Sequence, residues 1–274
     1  MSDVVRFTHV DVVRGSRHVL QDLDFGVRAG EFVGVIGGNG AGKTTLLRVM
    51  LGLQRVSAGA VAVFGEPVAR SNRRIGFVPQ KIAFDRDVPL RARDFVGLGV
   101  DGERFGLPLP NASRRARVDA ALADVGASAY ADAPIGRLSG GEQQRLAIAQ
   151  AIVGGPDLLL LDEPLANLDL RGADDVVALV AQIRAERGTT IVMVAHDVNP
   201  LLGTLDRVLY LSGGRSVIGT VPEVITSDVL GRLFGEHVDV IDVHGRLVVV
   251  TGPHDDTPSP QPLDAHARSG SESA

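Results

Sequence analysis

Several residue types are missing or scarce in this sequence. Cysteine is absent from the 274 residues, aromatic residues make up 4% of them, and only Lys43 and Lys81 among the 28 basic residues are lysines. The absence of cysteine excludes disulfide bonds and thiolate metal sites. The scarcity of aromatic residues argues against a stacking platform for bases or sugars. A net charge of -5 gives no reason to expect a nucleic-acid partner.

Long hydrophobic runs are missing as well. Apolar runs such as residues 158–161 and 191–195 are far shorter than the ~18–20 apolar residues that a membrane-spanning helix needs. The residues from Met1 to Val4 do not open a basic segment followed by an apolar one, so no signal peptide is predicted. We therefore expect a soluble, cytoplasmic protein in which any membrane role comes through a partner.

Strand-like and helix-like segments alternate along the chain. The short apolar run 31–37 predicts a strand, and the glycines that follow it predict a loop. Residues 43–51 contain no helix breaker and predict a helix. Residues 158–162 and 189–195 have the continuous apolar composition of strands buried on both faces. Between them, the spacing of the apolar residues predicts a helix over 174–187. This alternation predicts an α/β fold with a largely parallel sheet.

Three regions depart from this alternation. Residues 89–133 contain little strand signal, and Ser113 is placed to cap a helix that Gly126 ends, so we predict a helical insertion over about 86–137. Residues 238–243 and 246–250 predict a hairpin within a C-terminal β extension over about 214–252. The polar composition of residues 253–274 predicts a disordered tail.

A glycine-rich loop follows the first of the predicted buried strands. It fits the pattern G-x-x-x-x-G-K-[ST] with Gly37, Gly38, Asn39, Gly40, Ala41, Gly42, Lys43 and Thr44. Glycines let the backbone N–H groups turn around a phosphate, and the helix that follows directs its positive end at the same anion. We expect Lys43 to contact the β- and γ-phosphates, Thr44 to bind Mg²⁺ and Thr45 to join the nucleotide site. A chance glycine turn is improbable in a chain with two lysines, one of them in this slot.

Two acids end the apolar run at 158–161. Taken alone, Asp162 and Glu163 fit a strand that ends in a solvated turn. With a phosphate loop upstream, Asp162 becomes a candidate for the Mg²⁺ shell. Glu163, one residue later, becomes a candidate general base that polarises the attacking water.

A second anion site is predicted at residues 138–145, which read Leu-Ser-Gly-Gly-Glu-Gln-Gln-Arg. Ser139 and Glu142 form the S-x-x-E pattern of a capping box, at the start of a helix that runs through Ile152. Structurally this is a good helix start. A hydroxyl, two glycines and a helix N-terminus also suit a γ-phosphate. A second such site in one chain suggests that two chains share each nucleotide.

Residues 3–220 resemble the ATPase subunits of ABC transporters, because 138–145 match that family's signature motif at the right distance from the phosphate loop. The resemblance implies a P-loop NTPase core with an antiparallel β N-terminal portion and a helical insertion subdomain, within an ATPase domain over 1–252. It implies ATP and Mg²⁺ as cofactors and a homodimer with ATP between the copies. The residues that contact the partner's ATP would be Ser139, Gly140, Gly141 and Glu142.

The resemblance assigns three further residues. Gln80, after Val78 and Pro79, is the Q-loop residue that senses Mg²⁺ and links the helical insertion to the core. Asp169 ends the D-loop at 166–169, and His196 is the switch histidine that contacts the γ-phosphate. A lone histidine after an apolar strand is more often structural, but the other motifs in order favour catalysis. Glu163, Gln80 and His196 are thus the predicted catalytic residues.

One position departs from the family pattern. Members usually have an aromatic residue upstream of the phosphate loop that stacks on adenine, and that place holds Val13 and Arg14 here. Because a guanidinium also stacks on a base, Arg14 is the candidate for the adenine contact.

The cargo is suggested by weaker segments. Residues 84–89, and a stretch from His196 to Gly235, resemble the subfamily that imports zinc, manganese or iron ions. This implies a divalent metal such as zinc or manganese as cargo, integral membrane permease subunits as partners, and a periplasmic or extracellular substrate-binding protein as an indirect partner. The ATPase would lie on the inner face of the cell membrane. The tail histidines His254 and His266 either sense metal or belong to an ordinary solvated tail.

Two other classes of phosphate-loop protein are alternatives to a transporter subunit. Soluble ABC-type ATPases of DNA repair or translation usually carry coiled-coil inserts, zinc cysteines or tandem ATPase domains, and none of these is recognisable here. A P-loop kinase would leave the motif at 138–145 unexplained. We therefore predict the ATPase subunit of an importer, with no nucleic-acid partner.

Overall fold

The computed structural model describes residues 3–80, 84–101, 112–166, 168–235 and 237–251. The tail predicted at 253–274, with His254 and His266, lies outside these residues, as does Asn167 of the predicted D-loop. None of the helices in the described ranges is long and apolar enough to cross a membrane.

The first part of the chain builds an antiparallel sheet. Its strands are β1 (Asp3–Arg14), β2 (Arg17–Arg28), β4 (Ala58–Val63) and β5 (Glu66–Pro67), in the order β2-β1-β4-β5. The antiparallel N-terminal portion implied by the family resemblance is thereby confirmed.

The central sheet has six strands in the order β10-β9-β3-β8-β7-β6. They are β3 (Phe32–Gly37), β6 (Ile75–Val78), β7 (Leu158–Asp162), β8 (Thr190–Val194), β9 (Arg207–Ser212) and β10 (Arg215–Gly219). Every neighbouring pair is parallel except β9 and β10. The largely parallel sheet predicted from the alternation of segments is confirmed.

Helices pack against this sheet and against one another. They are α1 (Lys43–Met50), α2 (Ala92–Asp101), α3 (Ala112–Asp124), α4 (Gly140–Ile152), α5 (Leu170–Arg187), α6 (Val221–Val224) and α7 (Ser227–Phe234). Short 3₁₀ turns lie at Ser128–Tyr130, Ile135–Arg137 and Asn199–Leu201. Ser113 lies inside α3 instead of capping it, so that detail of the sequence analysis is wrong. The limits of the predicted insertion and domains stay predictions.

The predicted C-terminal hairpin is confirmed. Strands β11 (Val238–Val243) and β12 (Arg246–Thr251) pair antiparallel around the turn at His244 and Gly245. They form a separate two-stranded sheet.

Strand β7 shows why the apolar runs are continuous. Leu158 and Leu160 belong to the core between the central and antiparallel sheets, whereas Leu159 and Leu161 belong to the core under the helices. Successive side chains of a strand point to opposite faces, so a strand covered on both faces needs an apolar residue at every position.

The parallel arrangement also positions the polar residues. Four strands lie side by side in the order β3-β8-β7-β6, and each adjacent pair is parallel. Their carboxyl ends therefore meet at one edge of the sheet, the usual place for ligands in such folds. The segments that begin at Gly37, Pro79, Asp162 and Ala195 all leave the sheet at this edge.

We predict that Leu160→Ala destabilises the protein by about 2–5 kcal/mol, because it leaves a cavity in a fully buried strand. The matched control is Leu170→Ala, since that side chain is 73% exposed and its loss should change stability by less than about 0.5 kcal/mol. Urea denaturation measures both. Equal losses in the two variants would contradict the assigned core.

Candidate active site

A cavity of about 320 Å³ lies between the start of α1 and the turn that joins β1 to β2. It is lined mainly by the predicted phosphate loop and its neighbours: Gly38, Asn39, Gly40, Ala41, Gly42, Lys43, Thr44 and Thr45, together with Arg14, Arg17, Val19 and Glu163. The remaining loop residue, Gly37, is the last residue of β3. The cavity thus combines the loop with the candidate adenine contact and the candidate base.

Two loop positions require glycine. Gly37 has φ 155°, and a Cβ there would lie 2.2 Å from the carbonyl oxygen of Leu211. Gly42 has φ 107°, and a Cβ there would lie 2.7 Å from Cδ2 of Leu20. Both the backbone conformation and the close neighbours exclude a side chain. The loop can therefore lie tightly on β2 and β9 while its cavity side stays open.

Lys43 is held at the mouth of the loop. Its side chain is 5% exposed, and Nζ donates to the carbonyl oxygens of Gly37 at 2.6 Å and Gly38 at 3.1 Å. Burial lowers the pKa of Lys43, while the negative charges of Glu163 and Asp162 oppose that shift. The amine is thus positioned by backbone carbonyls, which a phosphate oxygen can replace as acceptor.

Thr44 and Asp162 offer a pair of oxygen ligands. The Thr44 hydroxyl donates to Oδ1 of Asp162 at 3.5 Å, and Asp162 is 4% exposed. Burial raises the pKa of Asp162; the hydrogen bond from Thr44 opposes this shift, and the charge of Glu163 adds to it. Mg²⁺ prefers oxygen ligands and usually keeps several waters beside one or two carboxylates. The hydroxyl and the carboxylate fit such an ion.

Glu163 is the centre of the polar cluster. Gln80 Nε2 donates to Oε2 of Glu163 at 2.5 Å, and Nε2 of His196 lies 2.9 Å from the same oxygen. Nζ of Lys43 lies 3.9 Å from Oε1. The structure therefore brings together the three predicted catalytic residues and the phosphate-loop lysine.

The backbone of Glu163 is strained. Its φ of 51° is in the left-handed region, which non-glycine residues adopt at a cost. Its N–H donates to the carbonyl oxygen of Val194 at 3.1 Å, on the neighbouring strand β8. The chain thus turns sharply at the end of β7 and directs the carboxylate, 9% exposed as a residue, into the cavity.

The signature residues lie at the start of α4. Ser139 Oγ accepts from the Glu142 N–H, and Glu142 Oε2 accepts from both N–H and Oγ of Ser139 at 2.8 Å, which completes the predicted capping box. A Cβ at Gly140 or Gly141 would meet no atom within 4 Å. Within the described residues, no hydrogen bond joins Ser139 to the phosphate loop. This helix start is open to a second molecule.

Asp169 has a structural contact in this chain. Its Oδ1 accepts from the N–H of Gly172 at 2.8 Å and caps α5. Among the described residues it makes no hydrogen bond to Glu163 or His196. The structure therefore does not bring Asp169 into the polar cluster.

Arg14 lines the cavity, and hydrogen bonds to a residue outside the cavity lining hold its side chain in place. Its Nε and one terminal nitrogen donate to Oε1 of Gln54 at 3.3 and 2.9 Å. Arg17, which the sequence analysis missed, donates to the carbonyl oxygen of Gly40 at 3.3 Å. The sequence holds a signal, because the Gly15-Ser16 turn between two strand-like segments predicts a hairpin, and that hairpin sets Arg17 opposite Arg14. Two guanidinium groups thus flank the open side of the phosphate loop.

The comparisons with known sequences agree on one family. Residues 20–166 match a family model described as "ABC transporter". The chain is 36% identical over 220 residues to the zinc transport system ATP-binding protein TroB of Treponema pallidum, covering 80% of this chain and 82% of that protein. It is 35% identical over 263 residues to the zinc import ATP-binding protein ZnuC of Yersinia enterocolitica, covering 91% and 97%.

Solved structures agree on the fold. An ABC transporter in an inward-facing conformation superposes with a TM-score of 0.75 at 26% identity, covering 93% of this chain and 99% of that one. The dimeric ATP-binding cassette MJ0796, bound to ADP and Pi, superposes with a TM-score of 0.66 at 27% identity, covering 79% and 98%.

We predict that Glu163→Gln lowers ATP turnover by at least about 100-fold and leaves ATP binding intact, because it removes the base while keeping the side-chain shape. Turnover is measured by phosphate release and binding by calorimetry. Glu186→Gln, the same substitution at an exposed residue of α5, is the matched control and should match the wild type. Normal hydrolysis by Glu163→Gln would remove Glu163 from this role.

Proposed function

This chain belongs to the ABC transporter family, and on that premise we propose that it is the ATP-hydrolysing subunit of an importer for zinc. Membership of this family shows that the chain binds and hydrolyses ATP. The observation that carries the ATPase role is the cluster at Glu163, where Gln80, His196 and Lys43 converge on one carboxylate beside the phosphate loop.

The catalytic roles follow from these contacts. The loop amides and Lys43 bind the β- and γ-phosphates, which places the γ-phosphate opposite the Glu163 carboxylate. Glu163 accepts the proton of the attacking water as general base. Gln80 and His196 both contact Oε2, so they orient the carboxylate for that transfer. Thr44 and Asp162 would hold Mg²⁺, whose charge neutralises the phosphates when it is bound.

The second half of the site comes from a second copy. The start of α4 offers a hydroxyl, two glycines with open space before them and a helix N-terminus, which together suit a phosphate. We place Ser139, Gly140, Gly141 and Glu142 against the ATP held by the partner's loop. The dimeric state of the similar cassette MJ0796 supports this arrangement. Asp169, at the start of the neighbouring helix α5, would face the same dimer interface.

In the proposed ATP complex, the adenine base lies beside the guanidinium of Arg14. Gln54 accepts two hydrogen bonds from Arg14 and so limits its rotation. A planar guanidinium held in one orientation presents a flat face on which a base can stack. Arg17 adds positive charge on the same side of the cavity, close to Gly40.

The cargo and partners are proposed from the relatives. Both similar sequences are named as ATP-binding proteins of zinc transport, and they align over most of their lengths. We propose that two copies of this chain act on the inner face of the membrane, on integral membrane permease subunits that receive the metal from an external binding protein. Movement of the helical insertion, which Gln80 links to the core, would couple the nucleotide to the permease.

Zinc uptake tests this proposal. Cells without the gene for this chain should lose uptake of radioactive zinc at low zinc concentration. Wild type and Glu186→Gln should restore it, and Glu163→Gln should not. Manganese uptake, measured in parallel, should be unchanged. Loss of manganese uptake alone would replace zinc with manganese as the cargo, and normal uptake of both ions would contradict the proposal.

A further inference from the structure

The C-terminal hairpin carries an unusual apolar surface. Of the seven large hydrophobic side chains that are exposed among the described residues, four lie on it: Ile241, Val243, Val248 and Val250, which are 43–48% exposed. The cross-strand pairs are Asp239 with Val250, Ile241 with Val248, and Val243 with Arg246. These six residues form one side of the hairpin, which we term the outer face.

The opposite side of the hairpin is already used. Val238 is buried in the core, and Val240, Leu247 and Val249 pack against the same core. An antiparallel hairpin with one face on the core normally presents polar residues on the other. The outer face instead presents four adjacent aliphatic residues, and such a surface typically marks an interaction site.

Asn199 attaches the hairpin to the loop of the switch histidine. The N–H of Leu247 donates to Oδ1 of Asn199 at 2.7 Å, and Nδ2 of Asn199 donates to the carbonyl oxygen of Leu247 at 2.9 Å. The same Nδ2 donates to Asp197 Oδ1 at 2.6 Å. His196 immediately precedes Asp197, so the edge of β12 is fixed three residues from a catalytic side chain.

The occupant that these features favour is a second copy of the chain. We propose that the outer face is a second contact between two copies, formed when the nucleotide-bound dimer closes. This inference rests on the proposed dimer, because the loop of His196 belongs to the side of the molecule that the partner's Ser139 must approach. Two hydrogen bonds between Asn199 and Leu247 fix the hairpin to the same loop.

Charge and size agree with this choice. Asp239 and Arg246 lie at diagonally opposite corners of the outer face, so a two-fold axis through its centre can set each against the other in the partner. A face of six side chains falls well short of the ~800 Å² per partner of a standard interface. It therefore adds to a dimer held by nucleotide and does not form one alone.

The C-terminal residues of this chain are a less suitable occupant of the outer face. Residues 252–274 offer little apolar surface to cover it, since Leu263 is their only large aliphatic residue.

Site-specific crosslinking tests the proposal. Because the chain has no cysteine, a single introduced thiol reports one position without background. Ile241→Cys is combined with Glu163→Gln, so that the ATP-bound dimer persists, and is treated with a short bismaleimide with and without MgATP. We expect most of the protein to crosslink to a dimer with MgATP and little without it. Leu53→Cys, which is 56% exposed in the wild type and distant in sequence, is the matched control and should not crosslink.

The outcomes separate this inference from the proposed function. If size-exclusion chromatography shows an ATP-dependent dimer but Ile241→Cys does not crosslink, the outer face is not a dimer contact and the proposed function stands. If no ATP-dependent dimer forms, the two-copy site and this contact both fail. Crosslinking that is independent of MgATP, or equal in the Leu53 control, also overturns the proposal. So does an Ile241→Cys thiol that reacts with maleimide only after residues 252–274 are deleted, since the tail would then be the occupant.

Discussion

The site depends on one buried carboxylate. Glu163 is 9% exposed, and a charge withdrawn from water needs partners that replace the lost hydration. Gln80, His196 and Lys43 supply them, from the ends of β6 and β8 and from the helix after β3. These partners are far apart in sequence and meet only because their strands are parallel and lie in one sheet. The order of the strands is therefore a condition for the chemistry.

Much of the site could be predicted because its signals are local. The phosphate loop, the two acids after β7 and the capping box at Ser139 each depend on residues within a few positions of one another. Their structures follow from turn and helix geometry. The family resemblance supplied the roles of Gln80 and His196, whose contacts with Glu163 join distant segments and leave no local trace.

What the sequence did not predict is long-range or depends on exact element ends. The brace between Arg14 and Gln54 and the attachment of Asn199 to Leu247 join residues 40 and 48 positions apart. No periodicity or spacing encodes such pairs. The cap predicted at Ser113 failed because the residue lies within α3, and helix ends are set by tertiary contacts as much as by local preference. The outer face of the hairpin, in contrast, could have been predicted from the sequence, because aliphatic residues stand where the alternation of a half-buried strand requires polar ones.

The central claim is that each nucleotide site combines two chains, and a mixed dimer tests it most directly. One chain carries Ser139→Arg, which fills the anion site of α4, and the other carries Lys43→Ala, which removes the phosphate contact. In the mixed dimer one composite site has both defects and the other has neither. The account predicts that each variant alone is inactive and that the mixture hydrolyses ATP. An active Ser139→Arg homodimer would contradict the shared site.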